Sequence, residues 1–166
     1  MSFSQLGLCT ELVENVTRQG YANPTDIQFR AIPDILTGQD VVAIARTGTG
    51  KTASFTLPIL QLLSQDNSLP VVAAGEVRAL IITPTRELAA QVLANIELYK
   101  HNLNLRTAAV YGGVRIEPQL ESLALGVDIL VATPGRLIDL YNRQAIDFNT
   151  LKMVVLDEAD RMLELG

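Results

Sequence analysis

Short apolar runs of strand length alternate with stretches of helical periodicity along most of this chain, and that alternation limits the fold more than any other feature. Helical patterns fit residues 51–64, 86–99, 116–124 and 136–142. Strand-like runs fit 40–45, 78–83, 105–110, 128–132 and 153–157. The strand-like runs lack clean two-residue alternation and are separated by helices. This combination predicts an α/β domain with a mostly parallel sheet and helices on both faces. Ahead of them, 6–18 reads as an amphipathic helix with Leu8, Leu12, Val13 and Val16 on one side and Gly20 as its stop. A second helix is expected from the N-cap Thr25 to Leu36, bent or divided at Pro33. Residues 65–76 form the longest irregular stretch and are expected to be the mobile loop.

The chain has 166 residues, enough for one domain with its own core. With 48% hydrophobic and 19% charged residues it belongs with globular rather than disordered sequences. No apolar run reaches the length of a membrane span, so no membrane partner is expected. Residues 1–5 carry no basic segment of the secretory type. A single cysteine, Cys9, and a single histidine, His101, exclude a disulfide framework and a Cys/His zinc site, which makes a cytoplasmic, reducing home the expectation. The net charge of −5 argues against binding nucleic acid through bulk positive charge, so any such contact must come from a few placed groups. Only three of the 13 cationic residues, Lys51, Lys100 and Lys152, are lysines. The rest are arginines, which fork onto phosphate better.

Two motifs carry chemistry. Ala45-Arg46-Thr47-Gly48-Thr49-Gly50-Lys51-Thr52 lies between an expected strand and an expected helix. Glycines there let backbone amides approach phosphate oxygens, and a helix N-terminus favours the anion. Lys51 supplies charge to the outer phosphates and Thr52 a hydroxyl ligand for Mg2+. Further along, Asp157 and Glu158 follow directly on a strand-like run. Ligands in open α/β sheets bind beyond the carboxyl ends of strands, so the two motifs are expected to meet there. Asp157 is the expected magnesium partner, and Glu158 is placed to orient or deprotonate a water aimed at the γ-phosphate.

Asp157-Glu158-Ala159-Asp160 is the signature of the DEAD-box RNA helicases, and further blocks of the chain resemble that family in order. Residues 20–28, Gly-Tyr-Ala-Asn-Pro-Thr-Asp-Ile-Gln, resemble its Q motif, with Phe3 upstream as the aromatic partner. The phosphate loop matches the family's motif I, which begins with Ala. Pro84-Thr85-Arg86-Glu87-Leu88-Ala89 is similar to motif Ia, Gly112-Gly113 to the GG motif, and Thr133-Pro134-Gly135-Arg136 to motif Ib. The resemblance implies a RecA-like P-loop NTPase domain over residues 1–166, with the Q-motif region in 1–38. It implies that Gln28 reads the adenine edge, that Phe3 or Tyr21 packs near the base, and that motifs Ia, GG and Ib grip an RNA backbone. An amide that both donates and accepts suits an adenine edge, and no Asn-Lys-x-Asp guanine-reading segment occurs, so ATP is expected over GTP.

The family's Ser-Ala-Thr motif III has no match in the chain, nor has its second RecA-like domain with the arginine that stabilises the transferring phosphoryl group. Such an arginine is worth about 10³–10⁵ in rate, so these residues alone are expected to bind ATP but turn it over slowly. By resemblance the motif III strand lies between the phosphate-loop and acidic-motif strands. Its absence predicts a sheet incomplete toward the C-terminus, with lowered stability, a rearranged sheet or self-association through the open edge. The leading expectation is the ATP- and RNA-binding first domain of an RNA helicase. A non-enzymatic, nucleotide-dependent RNA clamp or adaptor is the alternative, and a small-molecule kinase of the P-loop type a more distant one.

Overall fold

The computed structural model describes residues 2–165, leaving Met1 and Gly166, the ends of the expected domain, outside. The chain divides into two units, one of residues 1–67 and 95–104 and the other of 68–94 and 105–166.

The first unit is helical. A short 3-10 helix, Phe3–Leu6, precedes α1 (Thr10–Arg18), α2 (Asp26–Leu36) and α3 (Lys51–Gln65). The single helix expected over 6–18 is therefore two pieces. Gly7 is the cause: its φ of 87° closes the 3-10 turn in the left-handed region, which L side chains avoid. Phe3, Leu6, Leu12, Val16, Ile32, Leu57 and Leu60 are buried. Gly20 ends α1 as expected, at φ 83°. The α2 helix starts after Thr25 and runs on through Pro33.

The second unit is a four-stranded parallel sheet of order β2-β3-β1-β4, built from β1 (Val77–Ile82), β2 (Thr107–Val110), β3 (Val127–Ala132) and β4 (Met153–Leu156). The connecting helices are α4 (Arg86–Tyr99), whose residues from Asn95 on are counted with the first unit, α5 (Glu117–Ala124) and α6 (Pro134–Asn142), and α7 (Ala159–Glu164) follows β4. Burial separates centre from edge. Every residue of β3 and nearly every residue of β1 is buried, whereas β2 and β4 alternate. Apolar Val154 and Leu156 of β4 are consequently exposed on an edge strand.

One expected strand is absent. Residues 40–45 take no regular secondary structure and pair with no described strand, and Val42 and Ile44 are each 92% exposed. A strand exists only through a hydrogen-bonded neighbour, and no apolar sequence supplies that by itself. The neighbour implied by the resemblance belongs to the Ser-Ala-Thr motif, which the described residues do not contain.

The stretch 65–76, expected to be mobile, is tied to the sheet over its second half. Gly75 N–H donates to the Leu123 carbonyl (2.9 Å) and the Gly75 carbonyl accepts from Asp147 N–H (2.7 Å). Val72 is buried. Arg78, on β1, donates to the Pro70 carbonyl and pairs with Asp128 of β3 at 2.8 Å inside the unit. The second oxygen of Asp128 accepts the Arg106 N–H at 2.8 Å. A buried pair joining two central strands is held by its additional hydrogen bonds, which offset its desolvation.

Candidate functional site

In the first unit the phosphate loop takes its shape from backbone conformation. Gly48 and Gly50 sit at φ 78° and 82°, and Gly50 caps the N-terminus of α3, leaving Lys51 and Thr52 in its first turn. Thr49 Oγ1 donates to the Arg46 carbonyl at 2.6 Å, closing the turn from inside. Arg46, Thr47 and Gly48 are exposed.

Gln28 joins α2 to this loop. Its Oε1 accepts the Thr25 N–H (3.0 Å), stapling the start of α2, and its Nε2 donates to the Gly50 carbonyl (3.1 Å). A Cβ at Gly50 would collide with Gln28 Nε2 and lie 3.2 Å from Thr25 Oγ1, so both backbone angle and space demand glycine. Gln28 is only 4% exposed. These bonds use one donor and one acceptor of its amide, and one of each remains for a ligand. The two aromatic candidates differ: Phe3 is buried in the core of the unit, while Tyr21 is 52% exposed. Burial, aided by the Tyr21 hydroxyl beside it, pushes the Tyr99 phenol up to about 12.

In the second unit four sequence motifs fall on the carboxyl ends of four adjacent parallel strands. Thr83, after β1, donates its N–H to Ala132 of β3 (2.9 Å), and Thr133, after β3, donates to Val110 of β2 (3.1 Å). Asp157, after β4, donates to Ile82 of β1 (2.9 Å). The sheet hydrogen-bonding therefore continues one residue past β1, β3 and β4 and sets the starting height of the loops that follow them. Pro84, Thr85 and Arg86 lead from β1 into α4; Gly112 and Gly113 follow β2; Thr133, Pro134, Gly135 and Arg136 lead from β3 into α6.

Side chains then knit the loops together. A Cβ at Gly113, whose φ is 78°, would lie 2.9 Å from Arg86 Nη1, so the Arg86 guanidinium rests on the glycine. Arg86 also pairs with Glu87 at 2.8 Å, and that bond holds the Glu87 carboxyl below the usual carboxylate range. Arg136 donates from Nη1 to Gln119 Oε1 (2.9 Å) and from Nη2 to the Val114 carbonyl (3.1 Å). Gln119 Nε2 donates to the Tyr111 carbonyl at 3.1 Å.

Beside these loops lies an open cleft of about 310 Å³, lined by Thr85, Glu87, Leu88, Gln91, Glu158 and Arg161. Asp157 is buried, and Glu158 caps α7 in the left-handed region at φ 51°, a costly conformation for a residue with a side chain. Its carboxylate lies 3.6 Å from Arg161 Nη1. No group of three or more Asp, Glu, His or Cys placed to hold a metal ion occurs among the described residues. Thr52, in the first unit, carries a hydroxyl and Asp157, in the second, a carboxylate, each an oxygen donor of the kind that suits magnesium. That ion commonly takes one or two protein oxygens and completes its shell with phosphate and water.

The structure thus gathers Thr85, Arg86, Gly112, Gly113, Thr133 and Arg136 on one sheet end, and Gln28 with Gly50 in the other unit. Sequence reasoning missed Gln119, Arg161 and the Arg78–Asp128 pair. A glutamine in the first turn of a helix carries no signal until its partners are seen.

Gly-Lys-Thr opening a helix and Asp-Glu closing a parallel strand define a RecA-like α/β domain of the P-loop class. The family model for the DEAD/DEAH box helicase matches residues 25–166. The chain belongs to that family. It is 42% identical over 167 residues to a probable ATP-dependent RNA helicase of Methanocaldococcus jannaschii, covering 100% of this chain and 43% of that relative. It is 43% identical over 166 residues to the ATP-dependent RNA helicase DeaD of Escherichia coli, covering 99% of this chain and 25% of the relative. The crystal structure of a DEAD box protein from the hyperthermophile Methanococcus jannaschii superposes with a TM-score of 0.88 at 42% identity, covering 100% of this chain and 44% of that one. The chain spans less than half the length of these relatives. No helix among the described residues is long and apolar enough to cross a membrane.

Proposed function

We propose that residues 1–166 form the ATP- and RNA-binding first RecA-like domain of an RNA helicase that uses ATP binding and hydrolysis to open or remodel RNA. The observation that carries this reading is the set of four motif loops on adjacent strand ends, three bearing arginines or glycines and the fourth the Asp-Glu pair. Phosphates of ATP lie on the amides of 46–50 with Lys51 on the outer ones, and Gln28 offers its remaining amide donor and acceptor to adenine. Tyr21, the exposed ring, packs near the base. Thr52 and Asp157 are the residues that would hold magnesium, which would supply positive charge to the phosphates. Glu158 orients or deprotonates the attacking water.

RNA lies across the second unit's loops, with Arg86 and Arg136 on phosphates and the amides of 112–113 and 135 on backbone oxygens. A few contacts of this kind suit an acidic domain and a substrate read by backbone rather than by sequence. A second RecA-like domain is the partner that supplies the stabilising arginine, so residues 1–166 alone bind ATP and turn it over slowly. The edge strand β4, with Val154 and Leu156 exposed, is where copies of the isolated chain would associate.

The test is Lys51→Ala in the full-length protein. It should lose labelled-ATP binding at concentrations that saturate the parent. Equal binding by variant and parent would overturn the nucleotide-site assignment. ATP binding that never stimulates unwinding, with RNA retention intact, would favour a clamp over a helicase.

A further inference from the structure

We propose that Gln119 is a positioning residue for RNA: it fixes the 111–114 loop and sets Arg136 as a pre-oriented fork for one backbone phosphate. This inference rests on the RNA-binding reading above. Gln119 is 8% exposed, in the first turn of α5, yet its side chain serves no helix cap. Both ends of its amide are spent on other elements. Nε2 donates to the Tyr111 carbonyl at the start of the loop, and Oε1 accepts from Arg136 Nη1. Arg136 Nη2 in turn donates to the Val114 carbonyl at the far end of the same loop. Gln119 and Arg136 therefore clasp the loop at both sides of Gly112 and Gly113.

The loop needs that clasp. Gly112 and Gly113 are exposed, Gly113 has a positive φ, and glycine leaves the backbone free to leave this shape unless something outside holds it. Arg86 rests on Gly113, so loop shape also decides where that guanidinium lies. Arg136 has five N–H donors, and the two bonds described use two, leaving three in a planar fork of fixed direction. A guanidinium already held by two bonds loses less freedom on meeting a phosphate than a free one does. A neutral, buried glutamine would in this way control an ionic contact it never touches.

The experiment compares parent, Gln119→Met, Gln119→Ala, Arg136→Met and the double variant Gln119→Met/Arg136→Met in the full-length protein, using a short single-stranded RNA. Met keeps the volume of Gln and Ala does not, so an effect shared by both is not a cavity effect. Both Gln119 variants should weaken RNA binding about tenfold, with ATP affinity in the absence of RNA unchanged. The double variant should be no worse than Arg136→Met alone, because both changes remove the same contact. The slope of log K against log salt should fall by about 0.7 in Gln119→Met, as it does when one phosphate contact to a single strand is lost. Hydrogen exchange at residues 112–114 should speed up in Gln119→Met whether or not RNA is present.

Additive losses, an RNA affinity within about twofold of the parent, or an unchanged salt slope would each overturn the assignment. Loss of ATP affinity in step with RNA affinity would reduce Gln119 to a stability role. Failure of the parent to bind RNA would sink the RNA-binding reading itself, and unchanged exchange at 112–114 would still sink the clasp independently.

Discussion

The two units hold their motif loops in opposite ways. In the second, the loops of motifs Ia, GG and Ib and the Asp-Glu pair stand on a parallel sheet whose hydrogen bonds run one residue into the loops after β1, β3 and β4. In the first, the Gly-Lys-Thr loop is preceded by 40–45, which pairs with no described strand, and its shape comes from two left-handed glycines and the Gln28 side chain. One set of loops is positioned by the sheet beneath it, and the other by local conformation and a single amide. A given perturbation should therefore travel differently in the two places.

The largest effect is expected in the sheet. Asp128→Ala leaves the Arg78 guanidinium buried without its partner and frees the Arg106 N–H. The cost should be about 3–5 kcal/mol in chemical denaturation. Replacing both members of the pair, Arg78→Met with Asp128→Leu, should recover most of it, since an apolar pair of similar volume avoids the desolvation cost. A loss below about 1 kcal/mol for the single change would mean the pair behaves as a surface salt bridge, and the contrast between the units would weaken.

Next comes the glycine on which the first unit's loop turns. Gly50→Ala imposes a left-handed backbone on a residue with a Cβ, on the order of 1–3 kcal/mol, and drives that Cβ into Gln28. ATP affinity should fall at least about tenfold, while the denaturation midpoint of the sheet unit stays put. Adding Gln28→Ala should return part of the lost stability by removing the collision, while ATP affinity stays low because the amide assigned to adenine is gone. No recovery would show that the backbone angle, not the Gln28 contact, dominates at this position.

How much of this was legible beforehand follows the same division. The β1 and β3 strands were readable because central strands are apolar on both faces, and their ends were found to within a residue or so. The site motifs were readable because their chemistry depends on local spacing: Gly-Lys-Thr, Asp-Glu, Thr-Pro-Gly-Arg. Residues 40–45 looked just as strand-like, yet pairing depends on a neighbour that local sequence does not encode. Gln119, Arg78 and Asp128 were hidden for a related reason, because their side-chain partners lie 17 to 50 residues away in sequence. The split at Gly7 could have been read, since a glycine inside a helical pattern is a known stop.

The smallest expected effect is also the most direct test of the unpaired segment. Val42→Ala and Ile44→Ala remove apolar groups that are 92% exposed, so each should change the stability of the 166-residue chain by no more than about 0.5 kcal/mol. The same truncation in a buried strand costs about 2–5 kcal/mol for Ile. A cost of that size at Ile44 would mean that 40–45 is paired in solution, through a neighbouring copy or a rearrangement of the sheet. Ile44 stands two residues before Arg46, whose carbonyl anchors the Thr49 hydroxyl, so pairing there would also fix the height of the phosphate loop. ATP affinity measured alongside stability separates the cases: if Ile44→Ala weakens both, the first unit gains its support from a strand, and if it weakens neither, the glycines and Gln28 hold the loop alone.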